Sequence, residues 1–161
     1  MEQIRGVPFQ YEPKRENRFF CEFPAELGIE VWKIQAFKRP SMKINKVVIP
    51  YFNTERYVAG KFNWDEMELT FIDPIGPSTS QQLMEWVRLH AESLTGREGY
   101  AAGYQKTLLL KSTDPTGLEI EKWSLTDCQI VSFDAGSNDY SSDAIQLLKL
   151  VIQPATCILN V

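Results

Sequence analysis

From Trp64 to Ile72 the chain alternates strictly, with Met67, Leu69 and Phe71 on one side and Glu66, Glu68 and Thr70 on the other. A period of two is the signature of a β-strand with one packed face and one wet face. Shorter β-like runs recur at 18–23, 29–37, 43–49, 106–111 and 118–125, and a weaker one at 127–133. Turn residues punctuate them: Pro24, Lys38-Arg39-Pro40-Ser41, Asp73-Pro74 and Asp114-Pro115-Thr116-Gly117. Such a chain is driven into antiparallel sheets. The run 144–152 adds a sharper demand, because Ile145, Leu147 and Val151 oppose Leu148, Leu150 and Ile152. Apolar on both faces, it must be covered by core on one side and by a helix or a neighbouring subunit on the other.

Only one stretch has helical periodicity. Ser78 followed by Gln81 reads as a capping box, Leu83, Trp86, Val87, His90, Ala91 and Leu94 recur at steps of three and four, and Gly96 reads as the C′ glycine. The predicted fold is therefore mainly β, two packed antiparallel sheets forming a β-barrel or sandwich, with one α-helix at about 79–95. Residues 1–17 are polar, carry Pro8 and Pro13, and read as an N-terminal arm that orders on assembly. Residues 18–161 fit a single domain of ordinary size.

Chemistry-bearing patterns are absent. The sole histidine, His90, lies beside the helix's apolar stripe with no ligand partner at metal-binding spacing. No Cys-x-x-Cys, Gly-x-Ser-x-Gly, P-loop or dinucleotide fingerprint occurs, and Cys21, Cys128 and Cys157 are an odd number far apart. Glu66 and Glu68, two apart, report the wet face of a strand rather than an acid/base pair. The reading is a non-enzymatic protein with no catalytic residue, no metal and no cofactor. A net charge of −4 argues against gripping nucleic acid, which takes a basic patch to neutralise phosphates. No apolar run approaches the length of a membrane span or a signal peptide, so the expectation is synthesis in a cytoplasm without membrane insertion.

One segment asks for a partner. Residues 51–63 hold Tyr51, Phe52, Tyr57 and Phe62 with Arg56 and Gly60, and read as an irregular hairpin tip. Aromatic residues with arginine are the composition of protein contacts.

The order of elements, together with Arg18-Phe-Phe-Cys-Glu-Phe23, the tip Asn53-Thr-Glu-Arg-Tyr-Val-Ala-Gly-Lys61, Trp64-Asp-Glu-Met-Glu-Leu-Thr-Phe-Ile-Asp73, Trp86, Trp123 and Asp139-Tyr-Ser-Ser142, resembles the tail-tube family of contractile bacteriophages. Related tubes occur in type VI secretion and in extracellular contractile injection systems. The resemblance covers roughly 18–152 and is most specific at Val58-Ala-Gly-Lys61 with Trp64. It implies the repeating subunit of a tube in a virion tail, with subunits closed into hexameric rings, strands pooled into an inner barrel and rings stacked into the channel for DNA ejection. It also implies sheath, tape-measure and baseplate partners, and DNA passing through the lumen unbound. On this basis Tyr51, Phe52, Asn53, Thr54, Glu55, Arg56, Tyr57, Val58, Gly60 and Lys61 are expected at the contact between rings, and Glu66, Glu68 and Thr70 on the lumen wall. The chain departs from the family at Gln153–Val161, where an acidic, aromatic finish is expected. Two alternatives follow: a tube-initiator or injection-system tube protein, and, from another class, a small-molecule-binding β-barrel.

Overall fold

The computed structural model describes residues 12–160. Nine strands and two helices follow one another as β1 (Phe19–Glu22), β2 (Ile34–Phe37), β3 (Met42–Tyr51), β4 (Thr54–Trp64), β5 (Met67–Ile72), α1 (Thr79–His90), α2 (Ala101–Tyr104), β6 (Lys106–Thr113), β7 (Glu119–Asp134), β8 (Leu147–Gln153) and β9 (Thr156–Asn160). All strand pairs are antiparallel. The large sheet runs β1-β6-β7-β8-β5-β2, with β9 also on β7, and β3-β4 form a separate two-stranded sheet.

Strand β7 organises the body. Its first half pairs with β6 and β9, and its second half with β8. Asp127 stands between them with φ of 52°, a left-handed conformation that only a sharp local bend requires of a non-glycine residue. The register shows β8 and β9 to be one line of pairing along the same edge of β7, Gln129 opposite Gln153 and Thr126 opposite Thr156, broken where Pro154 has no N–H to give. Two sheets thus share a bent strand, and their inner faces meet. Cys21, Leu108, Leu110, Leu125, Cys128 and Cys157 from one pack with Met67, Leu69, Phe71, Leu148, Leu150 and Ile152 from the other. The result is a sandwich, not a closed barrel.

Helix α1 covers the open side. Leu83 and Trp86 are fully buried, and the Trp86 indole N–H donates to Tyr104 O at 2.8 Å. His90 joins helix to sheet: the Ile130 N–H donates to its Nε2 at 3.0 Å, so its proton sits on Nδ1, 3.1 Å from Trp86 O, and its ring stacks on Tyr104. The only histidine is therefore a satisfied structural bridge. Beneath the helix, the fully buried Lys33 donates to Pro77 O at 3.0 Å and to Gln82 Oε1 at 2.9 Å.

Several boundaries differ from the sequence expectation. The helix ends at His90 rather than near 95, because Ala91 turns extended and bridges to Glu98. Ser78 makes no side-chain cap; Asp73 Oδ1 does that work, accepting from Thr79 N at 3.0 Å and Ser80 N at 3.4 Å. The run 29–37 begins with a 3-10 turn at Val31–Lys33, and only Ile34–Phe37 is strand. The runs 118–125 and 127–133 are one strand, β8 starts at Leu147 rather than 144, and β9 is an extra strand. Residues 1–11 of the expected arm lie outside the described residues. Its last residues, 12–17, are exposed coil and turn tied to the body through Lys14.

That tie ends on a buried carboxylate. Glu121 is 5% exposed and pairs with Lys14 and Arg39, while the Trp123 indole donates to it at 2.6 Å. Burial alone would raise its pKa, but the hydrogen bonds from Lys14, Trp123 and Arg39 outweigh that and hold it at about 2. A carboxyl depressed on folding stabilises the native state above its ordinary value of 4.5, and the contribution fades as pH falls through about 2. Glu121→Gln is expected to lose about 1–3 kcal/mol at neutral pH. In urea melts the gap to the native protein should close between pH 4.5 and 2. A gap independent of pH would contradict this account.

Candidate functional site

The feature that a free subunit cannot explain is the hairpin β3-β4. Every residue from Met42 to Trp64 is exposed except Gly60 and Trp64, which are half-buried. The sequence is nonetheless apolar: Ile44, Val47, Val48, Ile49, Tyr51, Phe52, Tyr57, Val58 and Phe62 are each at least 44% exposed. A lone two-stranded ribbon is marginal in water, and one with β-branched residues exposed on both faces has the character of a contact surface.

Only the root of the hairpin is held by the body. The Asp65 N–H donates to Ser41 O at 2.9 Å, Ser41 Oγ donates to Asp65 Oδ2 at 2.9 Å, and Gln153 Nε2 donates to Trp64 O at 2.8 Å. Trp64 meets Trp123 edge to face at 6.3 Å. Above the root the register shifts between Ile44 and Lys46, and Gly60 lies opposite this bulge. A Cβ on Gly60 would sit 3.0 Å from Asn45 O, so the close approach of the strands needs glycine there.

The two faces of the outer half differ. Pairs Val47–Val58, Ile49–Arg56 and Tyr51–Thr54 share one face; Lys46–Ala59, Val48–Tyr57 and Pro50–Glu55 share the other. On the second face Lys46 Nζ lies 4.7 Å from the Tyr57 ring centre, and the Tyr57 hydroxyl donates to Glu55 at 3.1 Å. The first is the more apolar.

The structure brings the expected contact residues together but corrects their form. Thr54–Lys61 are strand, not an irregular tip, and the turn is only Phe52-Asn53, with Phe52 at φ of 50° and 90% exposed. Polar and apolar residues mix on both faces, which hides the alternation that marks β5.

Glu68 and Thr70 lie on the outer face of the β2-β5-β8-β7 sheet, and Glu66 just before it. Thr70 faces Lys149, which faces Asp134 on β7, and Lys149 lies 3.8 Å from Glu68. Sequence reasoning missed Lys149 and Asp134, since cross-strand neighbours depend on register that one strand's pattern does not contain.

The remaining reactive groups are quiet. All three thiols are buried, and burial pushes Cys128 up to about 12 and Cys157 to about 11. Among the described residues no group of three or more His, Cys, Asp or Glu is placed to hold a metal ion, and no helix is long and apolar enough to cross a membrane.

No protein-family model matches the sequence, and no curated protein matches it. Solved structures do. The chain is similar to the sheath/tube terminator, in its extended state, of the extracellular contractile injection system PVC, with 13% identity, TM-score 0.75, and coverage of 94% of this chain and 99% of that one. It is similar to the tube-terminating cap of the anti-feeding prophage, with 15% identity, TM-score 0.74, and 96% and 95% coverage. It is also similar to Hcp1 from Flavobacterium johnsoniae, with 11% identity, TM-score 0.54, and 89% and 94% coverage. The chain has the fold shared by these proteins.

Proposed function

We propose that the chain is a non-enzymatic structural subunit of the tube of a contractile tail or injection device. The bare β3-β4 hairpin carries this reading, because its exposed aromatic and β-branched residues would be buried against neighbouring subunits. The shared fold with tube and tube-end proteins supports it. In the fuller form, subunits close into hexameric rings, and rings stack through the hairpin into a virion tail tube that DNA crosses without being bound. Sheath, tape-measure and baseplate proteins are then the other partners. The face bearing Glu66, Glu68, Thr70, Asp134 and Lys149 lines the lumen. The three carboxylates Glu66, Glu68 and Asp134 outnumber the two lysines beside them, Lys149 and Lys38, so stacked rings would repel a phosphate backbone rather than hold it.

A second reading, a protein that ends the tube, is favoured by the similarity to the PVC terminator and the anti-feeding prophage cap. Electron microscopy of the purified protein, with light scattering after size exclusion, tests both. Rings with a central hole that stack into tubes are expected for the repeating subunit, and isolated rings for a tube end. A monomer at all concentrations would overturn both. A small-molecule-binding barrel is disfavoured because the two sheets do not close.

A further inference from the structure

We infer that the loop between β7 and β8 of one copy docks into the cleft between the residues before β1 and the end of β2 of the next copy. This rests on the subunit reading above and names a contact that the hairpin does not supply.

The loop presents an aromatic residue that the monomer leaves bare. Tyr140 is 112% exposed, yet the backbone around it is tightly organised. Asp139 Oδ1 accepts from Ser141 N at 3.0 Å and from Ser141 Oγ at 2.8 Å, and Asp139 O accepts from Ser142 N at 3.2 Å. Those bonds hold the Asp139 carboxyl below its ordinary pKa. At the loop's base Gly136 N donates to Asp134 at 2.8 Å, and Gln146 Nε2 to Ala135 O at 3.0 Å. From Asp134 to Leu148 the sequence holds Asp134, Asp139 and Asp143 and not one Lys or Arg. An ordered, acidic loop with an aromatic residue at its crest has the form of an anchor.

The cleft has the complementary character. It encloses about 660 Å³, with Phe19, Phe37 and Trp123 among its walls. Phe19 and Phe37 meet edge to face at 4.9 Å, giving an apolar floor wide enough for a phenol ring. Five cations line it, Lys14, Arg15, Arg18, Lys38 and Arg39, against the single wall carboxylate Glu16. Among the described residues Glu121 occupies Lys14 and Arg39, and Glu12 lies 3.5 Å from Arg18, while Arg15 and Lys38 line the cleft without a carboxylate of their own. Charge complementarity of this kind fixes orientation between partners.

Position decides that the partner is a second copy rather than the same one. The pairing register sets them at opposite ends of the sheet: Phe37 of the cleft faces Leu69 near the start of β5, whereas the loop enters β8 at Leu147, opposite Ile72 at the end of β5. A knob at one end of the subunit and a socket at the other make a head-to-tail contact, and a heterologous contact repeats along a line or around a ring.

The test places the photo-crosslinker p-benzoylphenylalanine at position 140 in the assembled protein, with isotopically light and heavy subunits mixed. Mixed-isotope crosslinks to 15–19 or 35–39 are expected. The double variant Arg15→Glu, Lys38→Glu, shown folded by circular dichroism, should lower their yield about tenfold, as the loss of one good charge pair would. Crosslinks mapping to the hairpin, or a yield unchanged in that variant, overturn the docking and leave the tube reading standing. Failure of the native protein to assemble at all overturns both.

Discussion

Val58→Asp is expected to abolish assembly while leaving the isolated subunit as stable as before. Val58 sits directly opposite Val47 on the more apolar face of the hairpin, and among the described residues both are exposed. In the free protein the new carboxylate stays hydrated, and the change belongs with surface substitutions worth about 0.5 kcal/mol or less. In an assembly it is buried without a partner, which costs about 3 kcal/mol or more, enough to weaken each contact over a hundredfold. Every subunit carries the lesion, so the losses multiply along a polymer. Scattering and microscopy should find folded monomers or unstacked rings, with an unaltered urea melt. Tubes of normal length would show that this face is not an interface.

Trp86→Ala is expected to have the largest effect on the subunit itself. The side chain is fully buried between α1 and the sheets, touches Phe23 with ring centres 6.4 Å apart, and supplies the hydrogen bond that holds Tyr104 O. Truncating a buried aromatic to alanine costs about 3–5 kcal/mol. Tyr104 O also loses its donor, and the stacked pair of His90 and Tyr104 loses its support. A domain of this size has only about 5–15 kcal/mol in hand. The midpoint of urea unfolding should fall sharply, and assembly should fail because folding fails. Trp86→Phe separates the contributions: it keeps most of the apolar area and should lose only about 1–2 kcal/mol for the missing N–H. Equal losses for the two variants would mean that packing is not what Trp86 supplies.

What the sequence made legible follows from which signals are local. The two faces of strand β5 were readable because Met67, Leu69 and Phe71 all face one core and Glu68 faces water, although the strand begins at Met67 and Trp64 belongs to β4. Helix α1 was readable for the same reason, with Leu83 and Trp86 as its buried stripe. Its end was not, since Leu94 continues the periodicity but is 92% exposed beyond the last turn. Strand β4 was hidden because it is exposed along most of its length among the described residues, so neither face had to be uniformly apolar. The unity of β7 was hidden at Asp127, whose positive φ bends the strand where the sequence reads as the start of a second, weaker run. Strand β9 was missed after Pro154, although the break that proline causes leaves the pairing register with β7 intact. Composition singled out the aromatic hairpin, whose residues are exposed; the Glu68–Lys149 pair needed three-dimensional register.

The bent strand shared by the two sheets has a mechanical consequence. A force pulling the loop end of β7 away from its cleft end acts along the strand. The ladders to β6, β8 and β9 then resist in shear, many hydrogen bonds at once, whereas a force across the strand would peel them one after another. Because β7 crosses from one sheet to the other, such a load is delivered to both halves of the core together, and the sheets cannot slide apart without first breaking that strand's pairing. Tension directed along β7 is thus expected to be shared by both halves of the core rather than carried by one sheet.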